Sequence, residues 1–377
     1  MTKIAIISHT EHYLNDKGKV VGWEPTIREI NHFPEKFNII YHLAPLHSGS
    51  PHRANIAYNS DKIIFQPLIP SGGKSIFKKI GIILFMPINL IRIIKVINKV
   101  DWIHFRSPTS LGLFVLPLVY LFSKKNKWIK YAGNWQQNFI PFSYKFQRWW
   151  LKKNLNNSFV IINGVWKNQA SHLLSFHNPC LTERELSDAN TIGFKKDFSG
   201  LLNICFVGRA GNNKGAAVLL EALSSFKKIN IFNEVNFIGL EEKDIAINSF
   251  SLGSARIKCN GWISRSQLDK IYAKSHLIIL PTKSEGFPKV IAEASAFGCI
   301  PIVTNIEPIN QIVINRKNGI LLDAPKVENI KKLFLNLEKK DYDLKVISNE
   351  AISMSKLFTY NRYLDRIKSE IIDANIK

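Results

Sequence analysis

The stretch 277–303, LIILPTKSEGFPKVIAEASAFGCIPIV, decides the fold class of this chain. It opens with four apolar residues typical of a buried strand, continues through a polar loop with Glu285 and Gly286, and becomes helical in pattern over Lys289–Phe297. A further apolar run follows at Pro301–Val303. A helix between two short strands predicts a parallel pair joined by a crossover, the unit of a sheet covered on both faces.

The same alternation continues along all 377 residues. Apolar runs predict strands at Lys3–His9, Asn38–Leu43, Lys62–Gln66, Asp101–Phe105, Trp128–Tyr131, Phe159–Ile162, Leu202–Val207, Val235–Ile238, Arg256–Cys259, Leu277–Leu280, Pro301–Val303 and Gly319–Leu322. Helical patterns lie between them, and those of the first half are Val20–Phe33, Ser75–Lys99 and Leu111–Ser123. Pro87 is expected to break or kink the second of these. The polar stretch Asp188–Gly200 lacks apolar periodicity and predicts a linker between two α/β domains, with a ligand cleft between them.

Composition excludes several classes of protein. A chain with 46% hydrophobic and 21% charged residues is neither disordered nor collagen-like. The apolar run Ile4–Ile7 is too short for a signal peptide, and no uncharged run approaches the ~20 residues of a membrane span, so we expect a cytoplasmic protein. The four cysteines are widely spaced, and Cys205 and Cys299 lie in apolar runs, which favours buried thiols over a disulfide scaffold.

The net charge of +22 is concentrated in one region. Between Pro51 and Lys153, 17 Lys and Arg residues stand against 2 acidic residues. Such a block suits an anionic membrane face, an ordinary solvated surface or a nucleic acid. The Trp149-Trp150 pair among basic residues favours the membrane, since tryptophan is enriched at the headgroup level of bilayers. We therefore expect an anionic membrane surface as a partner and no nucleic acid.

A first candidate site follows the strand Leu202–Val207. The sequence VGRAGNNKG over 207–215 carries Arg209 and Lys214 on a glycine- and asparagine-rich loop that leads into a helix. Glycines allow a close approach to the backbone, helix N-termini favour anions, and the two cations suit a diphosphate. The alternative is an ordinary strand–loop–helix connection with surface cations. The loop is not a Walker P-loop, because the Gly-x-x-x-x-Gly-Lys-Ser/Thr pattern is absent.

A second candidate site lies in the opening stretch. Glu285 precedes Gly286 on the loop, Pro288 suits the first turn of a helix, and Glu293 follows two turns beyond Glu285. A ligand with an anionic middle and hydroxylated ends fits two carboxylates beside a helix N-terminus. The alternative is a capping role for Glu285 and a surface position for Glu293.

Together these motifs resemble retaining group 1 glycosyltransferases of the GT-B fold. The spacing Glu285-x7-Glu293 resembles the signature of that family, and Gly208-Arg209 with Lys214 resembles its donor-phosphate loop. Gly261-Trp262 also matches in type and spacing, and the resemblance covers about residues 202–323. It implies two Rossmann-like domains facing across a cleft: an acceptor-binding domain over 1–190, a donor-binding domain over 191–355 and a last helix over 356–377 that crosses back to the first.

The resemblance also implies roles for residues. Arg209 and Lys214 would hold the diphosphate of a nucleotide-sugar, Glu285 would contact the donor sugar, and Glu293 would bind the ribose. The donor site would be completed by Gly208, Gly286, Phe287, Pro288 and Lys289. No catalytic metal and no cofactor are expected.

The first half matches the family less closely. Gly22 stands where members often have a glycine-rich acceptor loop, and His104 lies in an Asp-x-x-His segment. At the strand end where many members have a histidine facing the acceptor, this chain has Gly133 followed by Asn134. We take Gly22, His104 and Asn134 as acceptor-side candidates, with His104 and His9 as the histidines that remain for catalysis.

The implied activity is a retaining, metal-independent hexosyl transfer from a nucleotide-sugar to a glycan or lipid-linked saccharide. We expect it in the assembly of capsule, O-antigen or exopolysaccharide, at the inner face of the plasma membrane. The leaving phosphate would take the acceptor's proton on the same face of the sugar, and a covalent role for Glu285 is the rival mechanism. Two other functions remain open: a nucleotide-sugar epimerase on a similar fold, and a non-catalytic nucleotide-sugar binder at the membrane.

Overall fold

The computed structural model describes residues 2–51, 54–70, 76–137, 140–209, 211, 213–225, 230–241 and 255–375. The chain divides into two compact units. Unit 1 comprises Met1–Phe176 together with Arg362–Lys377, and unit 2 comprises His177–Asn361. Each unit contains its own parallel sheet with helices, which confirms the predicted α/β class.

Among its described residues, unit 1 contains ten strands. They are β1 (Lys3–Ile7), β2 (His12–Leu14), β3 (Val20–Trp23), β4 (Ile39–Pro45), β5 (Asn55–Ala57), β6 (Ile63–Leu68), β7 (Trp102–Ser107), β8 (Asn126–Tyr131), β9 (Phe159–Ile162) and β10 (Leu173–Ser175). Seven of them form a parallel sheet in the order β10-β9-β8-β7-β1-β4-β6. The other three form a small antiparallel sheet, β2-β3-β5, which the sequence did not predict.

The first four helices belong to unit 1: α1 (Glu24–Ile30), α2 (Ile76–Ile97), α3 (Gly112–Phe122) and α4 (Phe142–Lys152). The predicted helix at Val20–Phe33 is wrong at its start, because Val20–Trp23 is strand β3. The expected break at Pro87 is also absent, since α2 runs through this residue. A proline ring on the exposed side of a helix costs one hydrogen bond, and the apolar residues of the opposite face still pack on the sheet.

Unit 2 contains the strands β11 (Leu202–Val207), β12 (Phe232–Ile238), β13 (Arg256–Cys259), β14 (Leu277–Leu280), β15 (Ile300–Thr304) and β16 (Ile320–Leu322). They form a parallel sheet in the order β13-β12-β11-β14-β15-β16. The chain therefore reverses its direction of travel across the sheet between β11 and β14. At such a switch point the loops after the two strands diverge, and ligands bind there in open α/β sheets.

The helices of unit 2 are α5 (Glu183–Gly193), α6 (Ala216–Ser224), α7 (Arg265–Lys274), α8 (Lys289–Ala296), α9 (Val327–Glu338) and α10 (Leu344–Ser355). Thr182 and Glu185 form a capping box at the start of α5, which extends into the stretch expected to be an irregular linker. The last helix, α11 (Tyr360–Ile367), continues as a π-helical segment at Lys368–Ile372. Its residues from Arg362 onward pack in unit 1, where Arg366 covers the ring of Phe176.

Two smaller expectations can be compared with the structure. All four cysteines are free, and Cys205 and Cys299 are buried, as their apolar surroundings predict. Within the described ranges, no helix combines the length and apolar character needed to cross a bilayer.

Candidate functional site

The loop after β11 is held against the neighbouring strand by two glycines. The amide of Gly208 donates to the carbonyl of Ile238 at 3.0 Å. Gly239 has φ +85°, and a Cβ there would lie 2.6 Å from the Gly208 oxygen. A side chain at position 239 would push the two backbones apart, so this approach depends on glycine.

The loops after β11 and β14 are joined to each other. The carbonyl of Asn213 accepts hydrogen bonds from the Lys283 amide and the Thr282 hydroxyl, each at 2.9 Å. Gly215, the N-cap of α6, has φ +82°, and a Cβ there would overlap the carbonyl of Pro281. The predicted phosphate loop and the predicted sugar loop therefore form one surface at the switch point. Ala210 and Asn212, in the middle of the first loop, lie outside the described residues.

The closest contact across this surface is an ion pair between Lys214 and Glu285. Their side chains are 31% and 21% exposed, so the pair is reachable from solvent. The family resemblance predicts that Lys214 binds a phosphate and Glu285 a sugar. The structure brings the two together directly, and a ligand with both groups would meet them side by side.

Arg209 belongs to the loop after β11, and its guanidinium packs against an aromatic ring. Its guanidinium carbon is 5.2 Å from the ring centroid of Trp262, a cation–π distance. Trp262 follows β13, and the carbonyl of Gly261 before it accepts from the Gly239 amide at 2.6 Å. From the sequence, Trp262 had no predicted role beyond its match to the family pattern, and the structure shows that its ring packs against Arg209.

Glu293, the predicted ribose ligand, is paired within unit 2. It is 8% exposed, and its Oε1 lies 2.5 Å from a terminal nitrogen of Arg265. The Nε of Arg265 lies 3.0 Å from Oδ1 of Asp269, one turn on in α7. Burial acts to lower the pKa of Arg265, but Glu293 and Asp269 outweigh it and hold that pKa well above its ordinary value. Arg265 thus remains charged and fixes the Glu293 carboxylate.

Sequence reasoning missed this arginine. The i,i+4 spacing of Arg265 and Asp269 is visible in the sequence, but such pairs are common on exposed helix faces. The contact with Glu293 joins α7 to α8, and only the packing of those two helices creates it.

The remaining donor-side candidates surround the start of α8. Pro288 is the N-cap of the helix and Lys289 its first residue, and no side chain caps this end. Backbone N–H groups at such an end favour an anionic partner. Gly286 is buried, and the ring of Phe287 stacks on Phe358 at 4.7 Å. Phe287 therefore fixes the loop, and the backbone N–H groups at the start of α8 remain the polar groups that an anion could meet.

The three acceptor-side candidates lie on or just after three different strands of unit 1, β3, β7 and β8. A Cβ on Gly22 would lie 2.6 Å from the ring of His12, so Gly22 is a packing position in the small sheet. His104 is fully buried, and its ring packs against the rings of Phe33 and Trp128, which also contact each other. Burial holds its pKa well below the ordinary value, so His104 is neutral. This burial gives it a packing role and does not favour its assignment to the acceptor.

Asn134 occupies a turn after β8. Its side-chain oxygen accepts from the Gln136 amide at 3.0 Å, and Asn163 holds the same turn by donating to the Ala132 carbonyl at 2.9 Å. The three acceptor-side assignments remain predictions.

Unit 1 contains a buried ionic cluster that the sequence did not reveal. Glu29 of α1 accepts from Arg106 at 2.6 Å and from Lys130 at 2.9 Å to each carboxylate oxygen. The side chains of Glu29, Arg106 and Lys130 are 0%, 14% and 2% exposed. The three residues lie on α1, β7 and β8, and their separation of up to 101 positions leaves no local pattern.

Comparison with known proteins agrees with the geometry of unit 2. Residues 191–354 match the family model described as "Glycosyl transferases group 1". This part of the chain is similar to that family. The matched range contains the loops of Arg209, Lys214 and Glu285, and Glu293 of helix α8. The range that resembles the family therefore contains every donor-side residue that the sequence predicted.

Individual proteins resemble the chain more distantly. An uncharacterized glycosyltransferase of Methanocaldococcus jannaschii is 23% identical over 42% of this chain and 44% of its own length, so the chain covers less than half of that relative. Sucrose-phosphate synthase of Thermosynechococcus elongatus has a similar structure, with a TM-score of 0.71 at 15% identity over 99% of this chain and 100% of the synthase. HepE of Anabaena, solved with UDP, gives a TM-score of 0.68 at 14% identity over 99% of this chain and 100% of HepE. The fold is GT-B, with two Rossmann-like units, as the resemblance implied.

Proposed function

We propose that this chain transfers a sugar from a nucleotide-sugar donor to a glycan or lipid-linked saccharide, with retention of anomeric configuration and without a catalytic metal. The observation that carries this proposal is the pairing of Lys214 with Glu285 across two loops at the switch point of the sheet. Arg209 adds a second cation to the same loop. The family match over 191–354 supports the transferase class.

The ion pair suggests how the donor is received. A diphosphate carries more negative charge than one carboxylate, so it competes with Glu285 for Lys214. When Lys214 turns to the phosphate, the carboxylate of Glu285 becomes available to accept hydrogen bonds from the sugar hydroxyls. HepE has been solved with UDP-glucose, which makes uridine diphosphate sugars the first donors to test.

The chemical step follows from this placement. The bond between the anomeric carbon and the phosphate oxygen breaks, and the acceptor oxygen forms its bond to that carbon on the same face. The acceptor's proton passes to the departing phosphate oxygen. Arg209 and Lys214 stabilise the charge that grows on the phosphate. In the rival double-displacement route, Glu285 attacks the anomeric carbon, and the two routes differ by a glycosyl-enzyme intermediate.

Glu293 would contribute to nucleotide binding. Arg265 fixes one of its carboxylate oxygens, so the side chain needs no reordering to accept from ribose hydroxyls. A hydrogen bond to the ribose is equally strong in the ground state and in the transition state. It therefore contributes to the affinity for the donor more than to the rate of transfer.

We also propose that unit 1 binds an anionic membrane, where a lipid-linked acceptor of polysaccharide assembly would be found. On α4, Phe142, Lys145, Trp149 and Lys152 recur at helical spacing and are exposed, the two aromatic residues to 77% and 50%. The end of the adjacent α3 exposes Leu121 and Phe122. Aromatic and basic residues on one exposed face suit the headgroup layer of a bilayer.

An assay with donor alone and with donor plus acceptor tests the transfer. We expect UDP-glucose, UDP-N-acetylglucosamine or GDP-mannose to release nucleoside diphosphate faster when a lipid-linked saccharide is present. Conversion of the donor to an isomeric nucleotide-sugar would instead indicate an epimerase. Binding without turnover of any donor would indicate a non-catalytic binder.

Flotation with liposomes tests the membrane proposal. We expect binding to vesicles of phosphatidylglycerol but not of phosphatidylcholine, at about 1 kcal/mol for each lysine near the surface. The double variant Lys145→Glu/Lys152→Glu should lose this binding. The control Lys326→Glu/Lys339→Glu changes two exposed lysines of unit 2 by the same charge and should retain it. Equal binding to both vesicle types, or none, contradicts the proposal.

A further inference from the structure

A closed circuit of side-chain hydrogen bonds lies at the carboxyl end of β1 in unit 1. Ser8 Oγ lies 2.8 Å from His42 Nε2, and His42 Nδ1 lies 2.6 Å from the Tyr58 hydroxyl. The same hydroxyl lies 2.8 Å from His12 Nε2, and His12 Nδ1 lies 2.8 Å from the carbonyl of Thr10. The Thr10 amide donates to Ser8 Oγ at 3.3 Å and closes the circuit. We call these five residues the histidine ring.

Only one arrangement of protons satisfies every contact of the histidine ring with both imidazoles neutral. A backbone carbonyl can only accept, so His12 donates from Nδ1 and its Nε2 accepts the Tyr58 proton. The Tyr58 oxygen then accepts from Nδ1–H of His42, since its single proton is already used. His42 Nε2 consequently accepts from the Ser8 hydroxyl. Both histidines are Nδ1–H tautomers.

Burial supports the neutral state. Ser8, His12 and His42 are at most 1% exposed. Burial, helped by His47, lowers the pKa of His12 to about 4, against hydrogen bonds to the Thr10 and Pro45 carbonyls that raise it. Burial, with His12, Arg106 and His104 adding to it, holds the pKa of His42 well below its ordinary value. A ring of neutral partners with no unused donor resists rearrangement, because any rotated side chain leaves a buried polar atom unpaired.

The histidine ring fixes the segment 8–12 at both of its ends and in its middle. Between the fixed points stand His9 and Glu11, and Tyr13 follows with its hydroxyl donating to Glu11 at 3.1 Å. The ring of Tyr13 stacks on His47 at a centroid distance of 5.5 Å. These side chains outside the ring are partly or fully exposed, and they are rich in hydrogen-bonding groups. The carboxyl end of a central parallel strand is also where such sheets bind ligands.

We propose that the histidine ring positions the segment 8–13 as a wall of the site that receives a hydroxylated saccharide acceptor. This proposal rests on the proposed sugar transfer. The ring residues themselves are positioning residues: they hold the backbone, and the half-exposed side chains beside them meet the acceptor. The arrangement draws His12, His42 and Tyr58 from strands and loops that lie far apart in the sequence.

The variant Tyr58→Phe tests the positioning role. It removes the one oxygen that both accepts from His42 and donates to His12, and it leaves the ring shape in place. We expect kcat/KM for octyl glucoside or octyl N-acetylglucosaminide as acceptor to fall about tenfold or more, while hydrolysis of the donor in the absence of acceptor stays within about twofold. The matched control is Tyr41→Phe on β4, a partly buried tyrosine outside the ring, which should leave both rates within about twofold.

A spectroscopic measurement separates positioning from general destabilisation. Nitrogen-15 NMR of the imidazoles should show His12 and His42 as neutral Nδ1–H tautomers in the wild type, and Tyr58→Phe should change the tautomer of at least one. An Nε2–H tautomer of His12 or His42 in the wild type would contradict the proposed arrangement of hydrogen bonds in the histidine ring. Equal losses in acceptor transfer and donor hydrolysis overturn the positioning role. Failure of the proposed function looks different, because the wild type would then transfer no sugar from any donor.

Discussion

The two units place charged side chains at the carboxyl ends of their sheets in opposite ways. In unit 1, Glu29 and Lys130 are almost completely buried and Arg106 is 14% exposed. In unit 2, Lys214 and Glu285 are 31% and 21% exposed. A buried cluster cannot exchange one ionic partner for another without opening the core. A partly exposed ion pair can exchange a partner with a ligand from solvent. The charge of the Glu29 cluster in unit 1 therefore serves the fold, and the charge of the Lys214–Glu285 pair in unit 2 is available to a ligand.

The difference also separates the energetic costs of losing a charge. Removing one partner of a buried pair leaves an uncompensated ion in a low-dielectric interior, at a cost of about 3–5 kcal/mol. Removing one partner of a solvent-exposed pair typically costs about 0–1 kcal/mol. The same chemical change should thus affect stability in one unit and function in the other.

The largest effect is expected for Glu29→Gln. Two cations, Arg106 and Lys130, would remain without their counter-charge, and we expect the free energy of unfolding of unit 1 to fall by about 3–5 kcal/mol. Urea denaturation followed by tryptophan fluorescence measures it, since all tryptophans but Trp262 lie in unit 1. The matched control is Glu285→Gln. It should lower the free energy of unfolding of unit 2, followed by circular dichroism, by no more than about 1 kcal/mol. Equal losses of stability in Glu29→Gln and Glu285→Gln would contradict the distinction between the buried cluster and the exposed pair.

The next effect is on turnover. Arg209→Ala and Lys214→Ala should each lower kcat by about 10²-fold, because their charges meet negative charge that develops on the departing phosphate. Glu293→Gln should raise the donor KM more than it lowers kcat, since its contact is uniform along the reaction. Lys270→Ala, an exposed lysine on α7, is the control for general loss of charge. If Glu293→Gln lowers kcat as much as Lys214→Ala, the division between affinity and rate is wrong.

A smaller effect is expected from pH, and it should appear in both units. Burial lowers the pKa of His12 in unit 1 and, with Lys196 adding to it, of His276 in unit 2, each to about 4. In the unfolded chain both would take up protons near pH 6.5, while the folded residues stay neutral. The contribution of each neutral histidine to the free energy of unfolding is therefore fully present above pH 6.5. It is lost as the pH falls towards 4, and the loss at pH 5 is on the order of 2 kcal/mol for each histidine.

Urea midpoints at pH 7 and pH 5 measure this loss. The variant His276→Asn keeps a hydrogen-bond acceptor for the Asn203 amide. It should abolish the part of the pH-dependent loss of stability that comes from unit 2. A midpoint that does not change between the two pH values would mean that neither histidine is neutral in the folded state through burial.

The same contrast explains what could be predicted from the sequence. Every strand of the two parallel sheets except β10 was predicted, as were the loops of Arg209, Lys214 and Glu285, because contiguous residues with a local pattern encode them. The contacts of Glu293 with Arg265, and of Glu29 with Lys130, join elements that are adjacent only in the folded chain. No local pattern encodes such partners.

The short strands were missed for a related reason. β2 and β5 have three residues each, too few for an alternating pattern, and they are defined by pairing with β3. The helix predicted from Val20 begins as β3 because this pairing overrides local propensity. His104 resembled a functional histidine in the sequence, but its burial against Phe33 and Trp128 depends on long-range packing.

The central claim is that the surface formed by Arg209, Lys214 and Glu285 binds a nucleoside diphosphate. Trp262, the tryptophan beneath Arg209, reports on it directly when the protein is labelled with 5-fluorotryptophan. A titration with UDP, GDP, ADP, CDP and dTDP should shift the fluorine resonance of Trp262, identified by Trp262→Phe, for at least one nucleotide. That shift should weaken strongly in Lys214→Ala. A Trp262 resonance that no nucleotide moves, or one that moves equally in Lys214→Ala, would contradict the account.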